Sequence, residues 1–190
     1  MSIDQETGPT KEEMNQIAFD KFRDCKKILD IGCGRGDFVR RDPERIEGID
    51  WNNESVIACR EEGLPVIQKD ARYFKMELGR GVYDGIHISH VIEHLVPDDA
   101  YAMLNAVDYV LAEKGILVIR THVMNPHFWN DFSHIKPYSP HAIRHYFLDA
   151  TPLQRNYPAL KGVYDEIDFI WRKLQDAYLI SFRKLHHEKP

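Results

Sequence analysis

The chain is most easily read through what it lacks. No window of its 190 residues reaches the roughly 18 consecutive apolar residues that a membrane-spanning helix needs. The opening residues, MSIDQETGPTKEE, have neither the apolar run of a signal peptide nor the arginine-rich pattern of a transit peptide. Positive charge is in deficit: 25 Lys and Arg against 30 Asp and Glu leave a net −5, which argues against general nucleic-acid binding. Cysteine is scarce. Cys25, Cys33 and Cys59 are odd in number and without CxxC spacing, so a disulfide scaffold is excluded and a reduced, cytoplasmic protein is expected. Internal repeats, low-complexity tracts and Gly/Ser linkers are missing too. Asn53-Glu54-Ser55 matches a glycosylation sequon, but with no secretory signal Asn53 reads as a polar residue near a helix start.

What is present is an ordinary globular composition, 43% apolar and 29% charged, enough for one domain over residues 1–190. Thr10 and Glu13 have capping-box spacing, and Met14, Ile17, Ala18 and Phe22 share a helical face. Residues 1–25 therefore supply a helix that docks on the domain. β-branched runs predict strands at Lys27–Ile31, Ile46–Asp50, Pro65–Lys69, Asp84–Ile88 and Gly115–Arg120. Helices are predicted at Gly36–Arg41, Glu54–Glu62, Asp98–Glu113 and Pro140–Phe147. Tyr164–Arg172 and Ala177–Lys184 read as a hairpin around residues 173–176, and Leu185–Pro190 as a frayed tail. The expected fold is α/β: a Rossmann-like, seven-stranded, mostly parallel sheet with helices on both faces and a C-terminal antiparallel hairpin. Such sheets bind ligands at the carboxyl ends of their strands.

The densest of those ends is KKILDIGCGRGDF, residues 26–38, with three glycines in five positions after Asp30. It fails the dinucleotide pattern G-x-G-x-x-G: from Gly32 the third glycine position is Asp37, and from Gly34 it is Val39. The phosphate loop G-x-x-x-x-G-K-[ST] fails as well, since no lysine lies between Lys27 and Lys69. A pyrophosphate here would face Asp30 and Asp37, whereas a positively charged group would be welcome beside Asp30.

DIGCGRGDF, then GIDWN, VIQKDARYF, YDGIHISHVIEHL and KGILVIRTHV, in that order, resembles the class I S-adenosylmethionine-dependent methyltransferases. The resemblance covers residues 26–124 by motif and extends by strand order to about residue 185. It implies that Gly32, Gly34 and Gly36 let the backbone pass under the cofactor's methionine and ribose. It implies further that Asp30 lies near the α-ammonium and that Asp50 accepts from both ribose hydroxyls. Trp51 would lie against adenine, Asp70 and the Ala71 amide would read its edge, and the Ser89–His90 backbone would meet the methionine part. Each has a plainer reading: Asp30 as a loop cap, Asp50 as a helix cap, Trp51 as a packing residue, Cys33 as a small buried thiol.

The acceptor side is less determined. HVIEHL brings Glu93 and His94 close to where many small-molecule methyltransferases of this type do their chemistry, though a structural role suits both equally. Residues 121–139 form a long aromatic connection of the kind that serves as a lid or binding loop. With Asp131, His134, Pro137, Tyr138, Ser139 and Pro140 it resembles the corresponding loop of bacterial enzymes that methylate sugars, glycan ends and small metabolites. Ser139-Pro140 is also ordinary helix-start chemistry. His134, then His94, are the candidate catalytic bases. Arg120, His122, Trp129 and Tyr138 are candidates for holding the acceptor, Arg120 and His122 suiting an anion. His127, Asp131 and His134 are a loose mixed set of metal-ligand types. Hydrogen bonds that order the loop explain them as well, so no metal is expected.

The expected function is methyl transfer from S-adenosylmethionine, leaving S-adenosylhomocysteine, to an oxygen of a small molecule or glycan. Alternatives are N-, C- or protein methylation on the same fold, or a non-catalytic cofactor-binding partner subunit. The Asn-Pro-Pro-Tyr type motif of base-amino methylation is replaced by Ser89-His90-Val91-Ile92. An NAD-dependent oxidoreductase is disfavoured by Asp37.

Overall fold

The computed structural model describes residues 8–148, 164–173 and 176–186. Its strands are β1 (Ile28–Ile31), β2 (Ile46–Asp50), β3 (Val66–Gln68), β4 (Tyr83–Ser89), β5 (Leu111–His122), β6 (Tyr164–Trp171) and β7 (Ala177–Lys184). They form one seven-stranded sheet in the order β3-β2-β1-β4-β5-β7-β6. The first five are parallel, and β7 runs antiparallel between β5 and β6. The chain thus builds outward from β1 to β3 and then returns to the other side of β1. That reversal opens a crevice beyond the carboxyl ends of β1 and β4.

The helices are α1 (Lys11–Asp20), α2 (Asn53–Glu61), α3 (Lys75–Leu78), α4 (Pro97–Val110) and α5 (Pro140–Leu148). Both bonds of the Thr10/Glu13 capping box form at the start of α1. Met14, Ala18 and Phe22, with Val56 and Cys59 of α2, pack on Ile28, Ile46 and Val118. On the opposite face Met103, Val107, Ile143 and Phe147 cover Leu29, Ile31, Ile86 and Leu117. Successive strand residues alternate between these layers, and every residue of β1 is buried. Asp30 therefore lies under α1, on the same face as Ile28.

Two predicted helices come out differently, and one short helix was not predicted. Gly36–Arg41 shrinks to a single 3-10 turn at Val39–Arg41, because Pro43 has no amide to donate and drives Asp42 out of helical geometry, to φ −159° and ψ 76°. The helix expected to reach Glu113 stops at Val110, and Leu111 instead pairs with Tyr83 as the first residue of β5. Leu111 is buried either way, so apolar periodicity runs unbroken across the junction. The one-turn α3 is too short to show periodicity at all. Residues 174–175 of the expected hairpin turn and 187–190 of the expected tail lie outside the described residues. Among the described residues no helix is long and apolar enough to cross a membrane.

Candidate active site

The glycine loop wraps over the ends of β1 and β2. The Gly32 and Cys33 amides donate to the Ile49 carbonyl at 2.8 and 3.0 Å. Gly32 has φ +70°, and a Cβ there would stand 2.3 Å from a Val91 methyl, so neither the backbone nor the space admits a side chain. The Gly34 amide donates to Asp50 Oδ2 at 2.8 Å, and the Asn52 amide to Asp50 Oδ1 at 2.8 Å. Asp50 thus ties the loop to the start of α2, whose cap is Asn52. Two of its roughly four acceptor positions remain unused by these amides.

A cavity of about 600 Å³ lies over Gly32, with Asp50, Trp51, Asp70 and Ala71 along one side and His90 and His94 along the other. A narrower arm of about 190 Å³ continues past Gly32 and His90 to Asp30, Ser89, Asn15 and Arg120, partly roofed by α1. Every residue expected to bind cofactor lines one of these spaces, except Gly34 and Gly36, which shape the loop. Trp51 stands at the rim, 73% exposed.

The partners of these groups were less foreseeable. Asp30 pairs in register with His87 across β1 and β4, Oδ1 to Nδ1 at 2.7 Å, and the His87 ring stacks on Phe38 at 3.9 Å. Arg72 grips Asp70 through Nε at 2.9 and 3.0 Å and reaches Asp99 at 3.2 Å. The Arg72 hydrogen bonds hold the Asp70 carboxyl below its usual range. Arg120, expected among the acceptor residues, lines the narrow arm and not the histidine cavity. It is 2% exposed, lines the arm with Asp30, and donates through Nη1 to Asn15, while Nε and Nη2 are buried without a partner. Burial pushes its guanidinium down to about 10.

A second cavity, about 610 Å³, opens beyond His90 and His94 and is walled by His122, His127, Phe128, Asp131 and His134. Carbonyls fix three of the imidazoles there. Nδ1–H of His94 donates to Ser133 O at 3.1 Å, that of His122 to Asp176 O at 3.2 Å, and that of His134 to Phe128 O at 2.7 Å. A carbonyl can only accept, so Nε2 of each carries the lone pair. Behind them Glu93 is fully buried, accepting from Thr121 Oγ1 at 2.8 Å and meeting His90 Nδ1 at 2.9 Å. Burial alone would raise its carboxyl, but the bonds from His90 and Thr121 outweigh it and hold it low. Burial lowers His90 and His122 despite the Glu93 charge. Trp129 and Tyr138 do not join this group. Trp129 packs edge-on against Phe128, and Tyr138 lines a separate small cavity with its hydroxyl on Leu95 O at 3.1 Å.

A family model described as a methyltransferase domain matches residues 10–153, which include the whole cleft and all of the histidine cavity's lining except Asp176. The chain belongs to this methyltransferase family. Its fold is shared with solved structures at low identity. A SAM-dependent methyltransferase from Archaeoglobus fulgidus is 21% identical, with TM-score 0.67, 92% of this chain and 95% of that one covered. The N-methyltransferase NodS from Bradyrhizobium japonicum, solved with S-adenosyl-L-homocysteine, is 16% identical, with TM-score 0.70 and coverages of 95% and 90%. A SAM-dependent methyltransferase from Methanosarcina mazei is 14% identical, with TM-score 0.70 and coverages of 90% and 98%. No curated protein sequence matches the chain. In this methyltransferase, Arg72 and Asp99 are the partners of a candidate site residue that sequence reading missed. The arginine two places after Asp70 in DARYF was the available signal for the first.

Proposed function

We propose that this methyltransferase moves a methyl group from S-adenosylmethionine to an oxygen of a small-molecule or glycan acceptor. The observation that carries the reading is the charge layout of the narrow arm. Buried Asp30 stands on one side, and the Arg120 guanidinium, with two nitrogens lacking a partner, stands on the other. An amino-acid end fits that pair, its α-ammonium toward Asp30 and its α-carboxylate toward Arg120. A pyrophosphate would meet Asp30 and Asp37 instead. At the wide end Asp50 has acceptor positions left for two ribose hydroxyls, Trp51 offers a ring face for adenine, and Asp70 stands near its exocyclic amine. Arg72 and Asp99 hold Asp70 in place.

The cofactor supplies a methyl group on a sulfonium sulfur, which is displaced in line, so positioning carries much of the rate. The chain's own chemistry concerns the acceptor proton. His134, with Nδ1–H fixed on Phe128 O, presents Nε2 to take a proton from an acceptor hydroxyl, a contribution of roughly 10²–10⁴-fold. The Asp131 carboxylate lies 3.8 Å from Nε2. Hydrogen bonds from Ser133 hold the Asp131 carboxyl below its usual range, so it stays charged. His94 is the second candidate base. Calorimetric titration with S-adenosylmethionine, S-adenosylhomocysteine and NAD tests the cofactor: the first two are expected to bind, and binding of NAD alone would overturn the reading. Screening extracts for species that gain a labelled methyl group then identifies the acceptor.

A further inference from the structure

We propose that His90, Glu93 and His122 bind one divalent transition-metal ion where the cofactor cleft meets the histidine cavity. The three offer ligand atoms that all lie within 4.8 Å of one another. Metal–ligand bonds of about 2.0–2.2 Å place ligands up to about 4.4 Å apart across an ion, so side-chain adjustment alone closes the site. Glu93 is 0% exposed. A carboxylate taken wholly out of water needs strong partners, and its neutral donors here are the Thr121 hydroxyl and its own backbone amide, beside the His90 imidazole. His122 is prepared as a ligand, because Asp176 O holds its Nδ1–H and leaves Nε2 with the lone pair, the outer-layer arrangement typical of metal-bound histidine.

The backbone adds an independent observation. His90 sits at φ +56°, a left-handed conformation uncommon for a side-chain-bearing residue, and its amide is tied to Arg120 O at 2.9 Å. That conformation sets His90 against all three cavities at once, the two arms of the cofactor cleft and the histidine cavity. Two imidazoles and one carboxylate are the donor set of catalytic zinc and of non-haem iron sites that keep positions open, whereas Mg²⁺ and Ca²⁺ favour oxygen donors. The ion's role, holding an acceptor oxygen as a Lewis acid beside the methyl donor, rests on the methyl-transfer reading; the binding itself does not. A neighbouring triad, Glu93, His94 and His134, shares the carboxylate. His90 and His122 are the assigned ligands because His90 reaches the cofactor cleft and this set leaves His134 its lone pair.

The test is titration of chelator-treated full-length protein with Co²⁺ and Zn²⁺, followed by visible absorption and calorimetry, alongside S-adenosylhomocysteine binding. One Co²⁺ per chain with a ligand-field spectrum is expected, weakened at least about 100-fold in Glu93→Gln and in His122→Ala and retained in His127→Ala. If Glu93→Gln fails to fold, His122→Ala with native circular dichroism decides. Absence of stoichiometric binding, equal binding in His122→Ala, or loss in His134→Ala with retention in His122→Ala overturns the assignment. S-Adenosylhomocysteine binding without metal binding leaves the methyltransferase reading standing and removes only the ion; metal binding without the cofactor does the reverse.

Discussion

Replacing Arg120 by methionine should stabilise the cofactor-free protein while crippling cofactor binding. Nε and Nη2 of Arg120 are buried without partners, and each such group costs about 1–3 kcal/mol. The same cost appears in the guanidinium's ionisation, pushed down by burial to about 10, which corresponds to about 3 kcal/mol. Methionine keeps an unbranched stem in the same space and gives up only the bond to Asn15, about 1 kcal/mol. The net gain is about 2 kcal/mol, raising the thermal midpoint by about 4–8 °C for a chain of this size. In the complex Arg120 would make two charge-assisted bonds to a carboxylate, worth at least about 1.5 kcal/mol each, so S-adenosylhomocysteine should bind more than about 100-fold more weakly. Circular-dichroism melting without ligand and calorimetry with it measure the two effects separately. A cofactor-free variant that melts lower than the parent, or one that binds S-adenosylhomocysteine within threefold of it, refutes the assignment of Arg120 to the cofactor carboxylate.

Asp50→Ala should weaken S-adenosylhomocysteine about 100-fold by removing two hydroxyl contacts; an unchanged dissociation constant by calorimetry would reduce Asp50 to a tie between Gly34 and Asn52. His134→Gln should lower kcat by about 10²–10⁴ on the true acceptor with cofactor affinity intact, and undiminished turnover would remove it as base. Gly32→Ala combines left-handed strain of about 1–2 kcal/mol with a 2.3 Å approach to Val91, itself an overpacking of about 1–3 kcal/mol. Urea unfolding should show a loss of about 2–5 kcal/mol, and a loss under about 0.5 kcal/mol would mean the loop relaxes freely. Burial, then the Asp30 and Asp50 charges, push the Cys33 thiol well above its usual range. A thiol reagent at pH 8 should therefore label Cys33 in the native protein far more slowly than after unfolding, and equal rates would contradict that environment.

Legibility followed the range of the interaction. β1, β2 and β4 are short apolar runs bounded by polar residues, and their ends carry Asp30, Asp50 and Ser89 by chain order alone, so both the sheet and the residues that line its carboxyl edge could be read directly. What could not be read depends on register. Asp30 meets His87 only because β1 and β4 align those two residues, and Ser89 faces Arg120 only in the β4–β5 register. Arg120 and His122 look equivalent in sequence, two residues apart at the end of one strand. In the structure the first enters the cofactor arm and the second the histidine cavity. Likewise Glu93 is a helix-like acid in HVIEHL until the fold buries it among Thr121 and His90. The loop set considered for metal, His127, Asp131 and His134, failed for the opposite reason: proximity along the chain did not gather those three ligand atoms.

The distribution of buried polar side chains follows the same logic. Among the described residues these are Asp30, Asp50, His87, Glu93, Arg120, Thr121 and Ser181. All but Thr121 and Ser181 line the crevice at the carboxyl edge of the sheet or bond to a residue that does, and Thr121 bonds to Glu93 behind it. Desolvating a polar group is unfavourable wherever it happens, and a fold selected for stability alone would scatter such groups or replace them with apolar ones. Their concentration at one edge means that the protein carries its unfavourable terms where a ligand can recover them. A zwitterion can satisfy Arg120 and Asp30, ribose hydroxyls can complete Asp50, and a cation can complete Glu93. If so, each ligand should raise the unfolding free energy beyond what an apolar-lined cleft of the same size would gain.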